Sequence, residues 1–451
     1  MDFKNKKILV LGAGISGISV TAILQKLGAK VTLSDNRTKE NIDRDLSGLE
    51  TLGVVLALGK QDESLLTDTD LIVLSPGISV YLPLVESAQT RGIQVISEIE
   101  VAYQICKSPL VAVTGTNGKT TTTTLVGEMV KTAYQDVVVG GNIGQALSHE
   151  VAGVDESGIV VAEISSFQLE AILNFRPRIA AILNITADHL DRHGTMATYI
   201  KMKEKIFANQ TANDFLILNY DDDIVRDMAK RTKSKVVFFS RKSLLISGIF
   251  VQEGIIKIAW EGQVFSICPT DEIQVRGAHN IENAMAACGV AFFAGVDIEY
   301  MAQVLRGFNG VEHRIEPVAT IDGVQYYNDS KATNPESAIK ALDAFPGNVI
   351  LIAGGRDKKT DLTEFMTVVR EKVCHLILIG EASGRFHESA VRHGVKSIRI
   401  ESDLESAVKL AHQLAEGKDV VLLSPACSSY DMFKNYEERG RAFKRFVQHL
   451  E

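Results

Sequence analysis

The chain is poor in cysteine, proline and aromatic side chains. Its 451 residues include 5 Cys, 9 Pro and 1 Trp, and aromatics make up 6%. Cys106, Cys268, Cys288, Cys374 and Cys427 are scattered, odd in number and without CxxC spacing. A disulfide scaffold and a cysteine-ligated zinc site are both disfavoured, and a reducing cytoplasm is the expected setting. Few prolines and few aromatics argue against a turn-rich all-β protein. No apolar run approaches the roughly 18–20 residues that cross a bilayer, so no membrane partner is expected. The opening MDFKNKKILVLGAG enters a strand pattern directly, without a basic-then-apolar signal segment, which again predicts a cytoplasmic protein. Excess basic charge is missing as well: Lys+Arg is 48 against Asp+Glu 56, a net charge of −8. Binding nucleic acid without regard to sequence needs basic surface, so no nucleic-acid partner is expected, although local basic pockets for phosphate remain open.

What is present is an ordinary globular composition, 45% hydrophobic and 23% charged. A chain of 451 residues exceeds one hydrophobic core, and roughly 100–200 residues per domain predicts two to four domains. Three blocks follow one another, each opening with a short apolar strand that runs into a glycine turn. The first has strands at Lys7–Leu11, Lys30–Leu33 and Leu71–Leu74, with a helix to about Leu27. The second has Leu110–Thr114, Ile159–Ala162 and Ile179–Leu183. The third has strands near Val349–Ile352, Leu376–Ile379 and Val420–Leu423. Strands alternating with helices predict an α/β protein with parallel sheets in all three blocks. The expected domains are 1–97, 98–310 and 311–451, the second boundary falling in Gly307-Phe-Asn-Gly310. Short apolar runs broken by Gly and Asp over 234–275 predict added antiparallel strands in the middle domain.

Two glycine loops carry the chemistry. Gly12, Gly14 and Gly17 form G-x-G-x-x-G between strand and helix, and Asp35 closes the next strand. That pattern suits a dinucleotide: tight turn, backbone approach to pyrophosphate, helix N-terminus toward the anion, acid for a ribose. A tight turn with no ligand is the plain alternative. The second loop, Thr114-Gly-Thr-Asn-Gly-Lys-Thr120, also follows a strand and opens a helix. Its backbone N–H groups suit phosphate oxygens, Lys119 the β/γ-phosphates and Thr120 a Mg²⁺ ion. It departs from G-x-x-x-x-G-K-[ST], because Val113 stands where the first Gly belongs.

Three residues downstream invite two readings each. Glu163 ends a buried strand, placed either to hold a phosphate-bound metal or to favour the helix beginning near Ser165-Ser166. His189 follows the next strand, as a metal ligand or as a structural residue. Lys203 shares a helical face with Tyr199, Ile200, Ile206 and Phe207. From pattern alone such a lysine snorkels to water. If buried, its lowered pKa would leave a free amine able to take up CO₂ as a carbamate.

Taken together the motifs resemble the Mur ligases, the ATP-dependent amino-acid ligases of peptidoglycan precursor assembly, across essentially the whole chain. The resemblance rests on residues 114–120, Gly140-Gly-Asn-Ile-Gly144, Glu163-Ile-Ser-Ser-Phe-Gln-Leu-Glu170 and Asn184-Ile-Thr-Ala-Asp-His-Leu-Asp191. It continues through Gly277-Ala-His-Asn-Ile-Glu-Asn283, His313-Arg314, Asn328-Asp-Ser-Lys-Ala-Thr-Asn334 and Ser424-Pro-Ala-Cys-Ser-Ser429. The segments at 165–170 and 424–427 favour the branch that adds D-glutamate.

The resemblance implies a Rossmann-like first domain, a central P-loop ATPase domain and a Rossmann-like third domain. It implies D-glutamate addition to UDP-N-acetylmuramoyl-L-alanine through an acyl phosphate, with ATP, two Mg²⁺ ions and a carbamate on Lys203. Ile15, Ser16, Asp35, Asn36, Arg37 and Gly77 would then hold UDP rather than NAD, with Asn142 and Gln168 on the muramoyl and alanyl part. Gly115, Thr116, Asn117, Gly118, Lys119, Thr120, Thr121, Asn280, Arg314 and Asp329 would hold ATP. The metal ligands would be Thr120, Glu163, His189 and the Lys203 carbamate, and Lys119, His189, Lys203 and Lys331 would serve catalysis. Thr333, Lys358, Ser429 and Tyr436 would take the amino acid, with Arg356 and Lys359 competing with Lys358 for its carboxylate. The implied partners are small molecules only, and a monomer is expected. A sister ligase, a P-loop switch without ligase chemistry and an NAD-dependent dehydrogenase are the rival readings.

Overall fold

The computed structural model describes every residue except Asp43, Arg276, Lys358 and Glu451, and Asp191 by its backbone alone. The chain divides into two compact units, Met1–Ile273 with Ala278–Phe308, and Gln274–Gly277 with Asn309–Glu451.

The first unit holds two sheets. Strands β1 (Lys7–Leu11), β2 (Lys30–Asp35), β3 (Val55–Leu58), β4 (Leu71–Leu74) and β5 (Gln94–Ser97) form a parallel sheet in the order β3-β2-β1-β4-β5. Alternation sorts β1 between two cores, Ile8 and Val10 on one face and Leu9 and Leu11 on the other. The chain leaves β1 for β2 on one side and β4 on the other, so the first glycine loop lies at the switch point of the sheet.

The second sheet contains β6 (Leu110–Thr114), β7 (Val137–Gly141), β8 (Ile159–Glu163), β9 (Ile179–Ile182), β10 (Phe215–Asn219), β11 (Lys235–Ser240), β12 (Gly248–Gln252), β13 (Ile255–Trp260) and β14 (Gln263–Pro269). Their order is β14-β13-β12-β11-β10-β9-β6-β8-β7. Strand β6 is wholly buried and pairs in parallel with β8 and β9, so residues after Thr114, Glu163 and Ile182 converge on one edge. The antiparallel addition expected over 234–275 is the β12–β14 meander, while β11 joins in parallel.

The second unit is built on β15 (Glu316–Ile321), β16 (Val324–Asn328), β17 (Val349–Gly354), β18 (Val373–Ile379), β19 (Ile398–Ile400) and β20 (Val420–Leu423), in the order β15-β16-β20-β17-β18-β19. The expectation of an entirely parallel third sheet is corrected here: β15 and β16 form an antiparallel hairpin at its edge. The carboxyl ends of β16, β20 and β17 lie side by side, with Asn328 opposite Leu423 and Ile352 opposite Leu423. The edge strands β3 and β19 were not anticipated: β3 is a four-residue apolar run left half-exposed at the sheet edge, and β19 is only Ile-Arg-Ile, too short for a pattern.

Candidate active site

The second glycine loop ends at a 12-residue helix, Lys119–Val130, capped by Gly118 in the left-handed region at φ 83°. A side chain there would also collide with Asn283, whose Oδ1 lies 2.1 Å from the added Cβ. The loop is tied to the segment after β9. Thr116 N–H donates to Asn184 O at 2.9 Å, Asn117 N–H to Asn184 Oδ1 at 2.8 Å, and Thr186 N–H to Thr116 Oγ1 at 3.1 Å. Thr120 and Thr121 are buried in the first helical turn. Asn283 donates to Asn280 Oδ1 at 3.1 Å, which places Asn280 on the helix Ala278–Phe293 beside the loop. Sequence reasoning gave Asn283 no role; its packing under Gly118 shows only in three dimensions.

Two lysines converge on one carbonyl. Lys119 Nζ donates to Gly115 O at 2.9 Å and to Thr116 O at 2.8 Å. Lys203 Nζ donates to the same Gly115 O at 2.7 Å and approaches Thr114 Oγ1 at 3.4 Å. Lys203 is 1% exposed, so the snorkelling expected from its helical pattern does not occur. The reason is tertiary packing against the second glycine loop. The helix Met196–Glu204 tightens into a short turn at Lys205–Phe207 and packs Tyr199 and Lys203 inward, with Lys203 Nζ 4.8 Å from the Tyr199 ring centroid. Burial first, and the neighbouring Lys119 charge second, hold the Lys203 amine well below the ordinary lysine range; Asp188 and Glu163 oppose the shift.

Glu163 is 2% exposed at the end of β8. Its Oε1 accepts from Asn142 Nδ2 at 2.8 Å, while Oε2 is buried without a hydrogen-bond partner. The alternative role of favouring the following helix falls to Ser165, whose Oγ caps it in a reciprocal box with Gln168. Gln168 is therefore committed through its Oε1, which accepts from Ser165 N–H at 2.9 Å. His189 adopts φ 51°, is half-exposed, and lies with its ring centroid 4.7 Å from that of Phe167 at a tilt of 55°, with Asp188 Oδ2 3.6 Å from Nε2. Among the described residues no group of three or more His, Cys, Asp or Glu side chains is arranged to hold a metal. A bare, buried carboxylate oxygen near an amine whose pKa burial lowers nevertheless fits a cation whose other ligands come from elsewhere.

The first glycine loop is built differently. Gly17 lets the helix Ile15–Lys26 touch the turn: a Cβ there would lie 1.8 Å from Gly12 O. Asp35 is spent on structure. Oδ2 accepts from Ala13 N–H at 2.8 Å and Arg37 Nη2 at 2.9 Å, and Oδ1 from Arg37 N–H and Nε at 2.9 Å each. The Arg37 side chain, with the two backbone donors, lowers the Asp35 pKa to about 2. With roughly four acceptor directions already used, the carboxylate has little left for a ribose, which weakens the dinucleotide reading. Ile15, Asn36, Arg37 and Gly77 are exposed at this edge, and Ser16 is part-exposed.

Arg192 was missed by sequence reasoning. It forms two bonds to Glu170, at 2.9 and 2.6 Å, and donates to Pro76 O at 3.1 Å and Ile78 O at 2.9 Å. Its guanidinium also lies 4.2 Å from the Phe167 ring centroid. One side chain thus joins the Ser75–Ile78 turn of the first sheet to the ring under His189. Only its place directly after Asp191 could have drawn notice in the sequence.

In the second unit, Asp329 is buried after β16. It accepts from Ser424 Oγ at 2.7 Å and Ile315 N–H at 3.2 Å, and burial raises its pKa to about 7 against the pull of Ser424 and Arg314. Lys331 Nζ lies 6.0 Å from the Tyr436 ring centroid, and Thr333 N–H bonds Lys331 O at 2.9 Å. Ser429 is buried, its carbonyl accepting from Met432 and Phe433 at 3.1 and 2.8 Å. Arg385 pins Asp357 with bonds of 2.7–3.1 Å and donates to Thr360 O at 2.9 Å. Lys358 itself lies outside the described residues.

No helix among the described residues is long and apolar enough to cross a membrane. Three family models match successive parts of the chain: the Mur ligase MurD-like N-terminal domain over residues 6–97, the Mur ligase middle domain over 113–291, and the Mur ligase glutamate ligase domain over 313–427. The UDP-N-acetylmuramoylalanine–D-glutamate ligase of Pelotomaculum thermopropionicum is 46% identical, covering 100% of this chain and 99% of its own. The ligase of the same name from Caldanaerobacter subterraneus subsp. tengcongensis is 44% identical over 100% of both chains. Among solved structures, UDP-N-acetylmuramate-alanine ligase from Thermotoga maritima shares the fold at TM-score 0.59 and 19% identity, covering 99% of this chain and 100% of that one. A chain with a P-loop and a buried lysine behind it, matched by three successive family models and by relatives along its whole length, admits one conclusion: this chain belongs to the Mur ligase family.

Proposed function

We propose that this chain joins D-glutamate to UDP-N-acetylmuramoyl-L-alanine at the expense of ATP, the reaction carried in the names of its full-length relatives. The observation that carries the reading is the shared Gly115 carbonyl. A P-loop lysine alone serves any nucleoside triphosphate. A second lysine, buried behind it with its pKa lowered and near a bare Glu163 oxygen, belongs to a site prepared for more than hydrolysis.

Residues 1–97 hold the UDP part, through the backbone N–H groups that open the helix Ile15–Lys26 and through Arg37, which Asp35 orients. Asn142 and Gln168 serve the muramoyl and alanyl part. Residues 98–310 hold ATP. The N–H groups of 115–120 cradle phosphates, Lys119 leaves its two carbonyls for the β/γ-phosphates, and Asn280 serves the adenine end. The alanyl carboxylate attacks the γ-phosphorus, the bond to ADP breaks, and an acyl phosphate forms. The amine of the amino acid then attacks the acyl carbon, phosphate departs and the nitrogen gives up a proton.

Thr120, Glu163, His189 and Lys203, the last as its carbamate, are the residues that would hold Mg²⁺. The metal supplies charge neutralisation between anions and a template for the phosphates. Carbamylation would turn Lys203 from a donor crowding Lys119 into an acceptor. Residues 311–451 bring Arg314, Asp329 and Lys331 to the ATP reaction and Thr333, Lys358, Ser429 and Tyr436 to the amino acid.

Phosphate release tests the assignment, with ATP, UDP-N-acetylmuramoyl-L-alanine and a panel of amino acids. Release that needs the sugar nucleotide and D-glutamate together is expected. Release that depends on neither, or that prefers another amino acid, overturns it.

A further inference from the structure

The short helix Leu190–His193 begins at His189 and carries Arg192. The Arg192 side chain is 14% exposed, and the Glu170 side chain it meets is 3% exposed. A carboxylate so far from water needs a counter-charge. His193 does not supply it. Its Nδ1 stands 3.7 Å from Glu170 Oε1, but burial holds its pKa below the ordinary histidine range, and its Nε2 is engaged with Ser166 Oγ at 3.0 Å. Arg192 is the counter-ion, with Nε on Oε1 at 2.9 Å and Nη2 on Oε2 at 2.6 Å in a paired fork. The N–H groups left over from that pairing go to the turn of the first sheet. Nη2 donates to Ile78 O at 2.9 Å and Nη1 to Pro76 O at 3.1 Å, the two carbonyls on either side of Gly77. A lysine presents a single nitrogen and cannot span a carboxylate and two carbonyls in one fixed plane.

The turn holds its own shape without Arg192. Ile78 N–H donates to Ser75 O at 2.9 Å, and Ser75 Oγ donates to Gly12 O at 2.8 Å, so the turn rests on the first glycine loop. What Arg192 adds is a tie to the second sheet. Its guanidinium carbon lies 4.2 Å from the Phe167 ring centroid, and that ring in turn meets His189 at 4.7 Å. Among the described residues no hydrogen bond of Arg192 or of Glu170 reaches residues 114–120, so the phosphate loop is held independently. A sugar nucleotide with its UDP in residues 1–97 presents its carboxylate beside His189. It bridges the same two segments that Arg192 bridges.

We propose that Arg192 is a positioning residue for the sugar nucleotide: by holding the Pro76–Ile78 turn to Glu170 and to the Phe167–His189 pair, it sets the distance between the sites for the two ends of that substrate. This rests on the ligase reading above. A ligand that occupies one segment alone, UDP or ADP, is indifferent to that distance. The whole sugar nucleotide is not, and a misplacement of about 1 Å at the reacting carboxylate slows chemistry by about 10²-fold.

The test uses the full chain as wild type, R192M and R192K. R192M removes charge and fork, whereas R192K keeps a charge facing Glu170 and removes only the fork. Calorimetry reads Kd for UDP-N-acetylmuramoyl-L-alanine, for UDP and for ADP, each alone, and hydroxylamine trapping reads acyl-phosphate formation at saturating substrates. R192M should weaken sugar-nucleotide binding by about tenfold, leave UDP and ADP within about threefold, and slow trapping by about tenfold or more. R192K, folded because Glu170 keeps a counter-charge, should show most of the same loss. A merely structural role would move all three ligands together. An unchanged Kd for the sugar nucleotide in R192M overturns the proposal, as does a loss for UDP and ADP as large as that for the sugar nucleotide. So does an R192K that matches wild type. If R192M does not fold, R192K decides by the same readings. A wild-type chain that does not bind the sugar nucleotide is the separate failure of the ligase reading itself, and the proposal falls with it.

Discussion

The two glycine loops read alike as sequence, strand, then glycines, then helix, yet they solve different problems. At residues 12–17 the glycines serve the protein's own backbone: Gly17 allows the helix to touch Gly12 O, and the nearby acid is consumed by Ala13 and Arg37. What is left for a ligand is a helix N-terminus and one arginine, enough for a diphosphate. At residues 115–120 the loop is held from outside by Asn184, Thr186 and Asn283, and two lysines share a carbonyl within it. A loop pinned by its neighbours with two lysines gathered inside suits bond-making. A loop pinned by its own packing suits binding.

Lys119→Ala should break the second loop most severely. The side chain bonds loop carbonyls rather than packing in a core, so the fold should survive, while turnover drops by at least about 10²–10³. Near-normal turnover in a folded variant removes this loop from catalysis. Lys203→Ala comes next, with a loss of about 10–100-fold. Here a small carboxylate added in solution should restore part of the activity by standing in for the carbamate, and methylamine should not. Rescue by methylamine alone would assign the role to the ammonium.

In the first loop the largest effect should be on stability. Gly17→Ala drives a Cβ into backbone and should cost about 3 kcal/mol. Gly14→Ala, with nothing within 4 Å of the added Cβ, should cost far less. Denaturant midpoints measure both, and equal losses would contradict the packing role of Gly17. Arg37→Ala should raise KM for the sugar nucleotide about tenfold and leave KM for ATP nearly unchanged. A parallel rise in both would mean that the loops do not serve separate nucleotides.

The smallest effect concerns Asp35. Its pKa is held at about 2 against an ordinary 3.8. Because the folded-state value is the lower one, its contribution to stability is present above the ordinary value and is lost as pH falls through about 2. In Arg37→Ala the carboxyl should titrate closer to 3.8, as followed by NMR. An unchanged titration would show that the backbone donors alone set it.

Central strands were legible because buried parallel strands are largely apolar runs, as in Leu110–Thr114 and Lys7–Leu11 before the two loops and in Val420–Leu423 of the third sheet, whose ends match the expectation. Edge strands such as Ile398–Ile400 were not, since their half-exposed pattern carries little apolar signal. The site divides in the same way. Lys119 and Thr120 declare themselves by local spacing to a strand and a helix. Lys203 reads locally as a snorkelling residue and proves to be buried, because its surroundings are supplied by Gly115 and Lys119, more than 80 residues away.

By itself the sequence determined the secondary elements whose signal is periodic, the position of both glycine loops at strand ends, and membership of the family. Each depends on residues within a few positions of one another or on the whole pattern at once. The tertiary structure decided which charges are compensated. Asp35 is saturated by Arg37 and Ala13, Glu163 keeps one oxygen bare, Lys203 loses its water, and Glu170 is matched by Arg192. Solvation and long-range pairing set the cost of a charge, and neither is a property of the local chain; both arise only when distant segments close around the group.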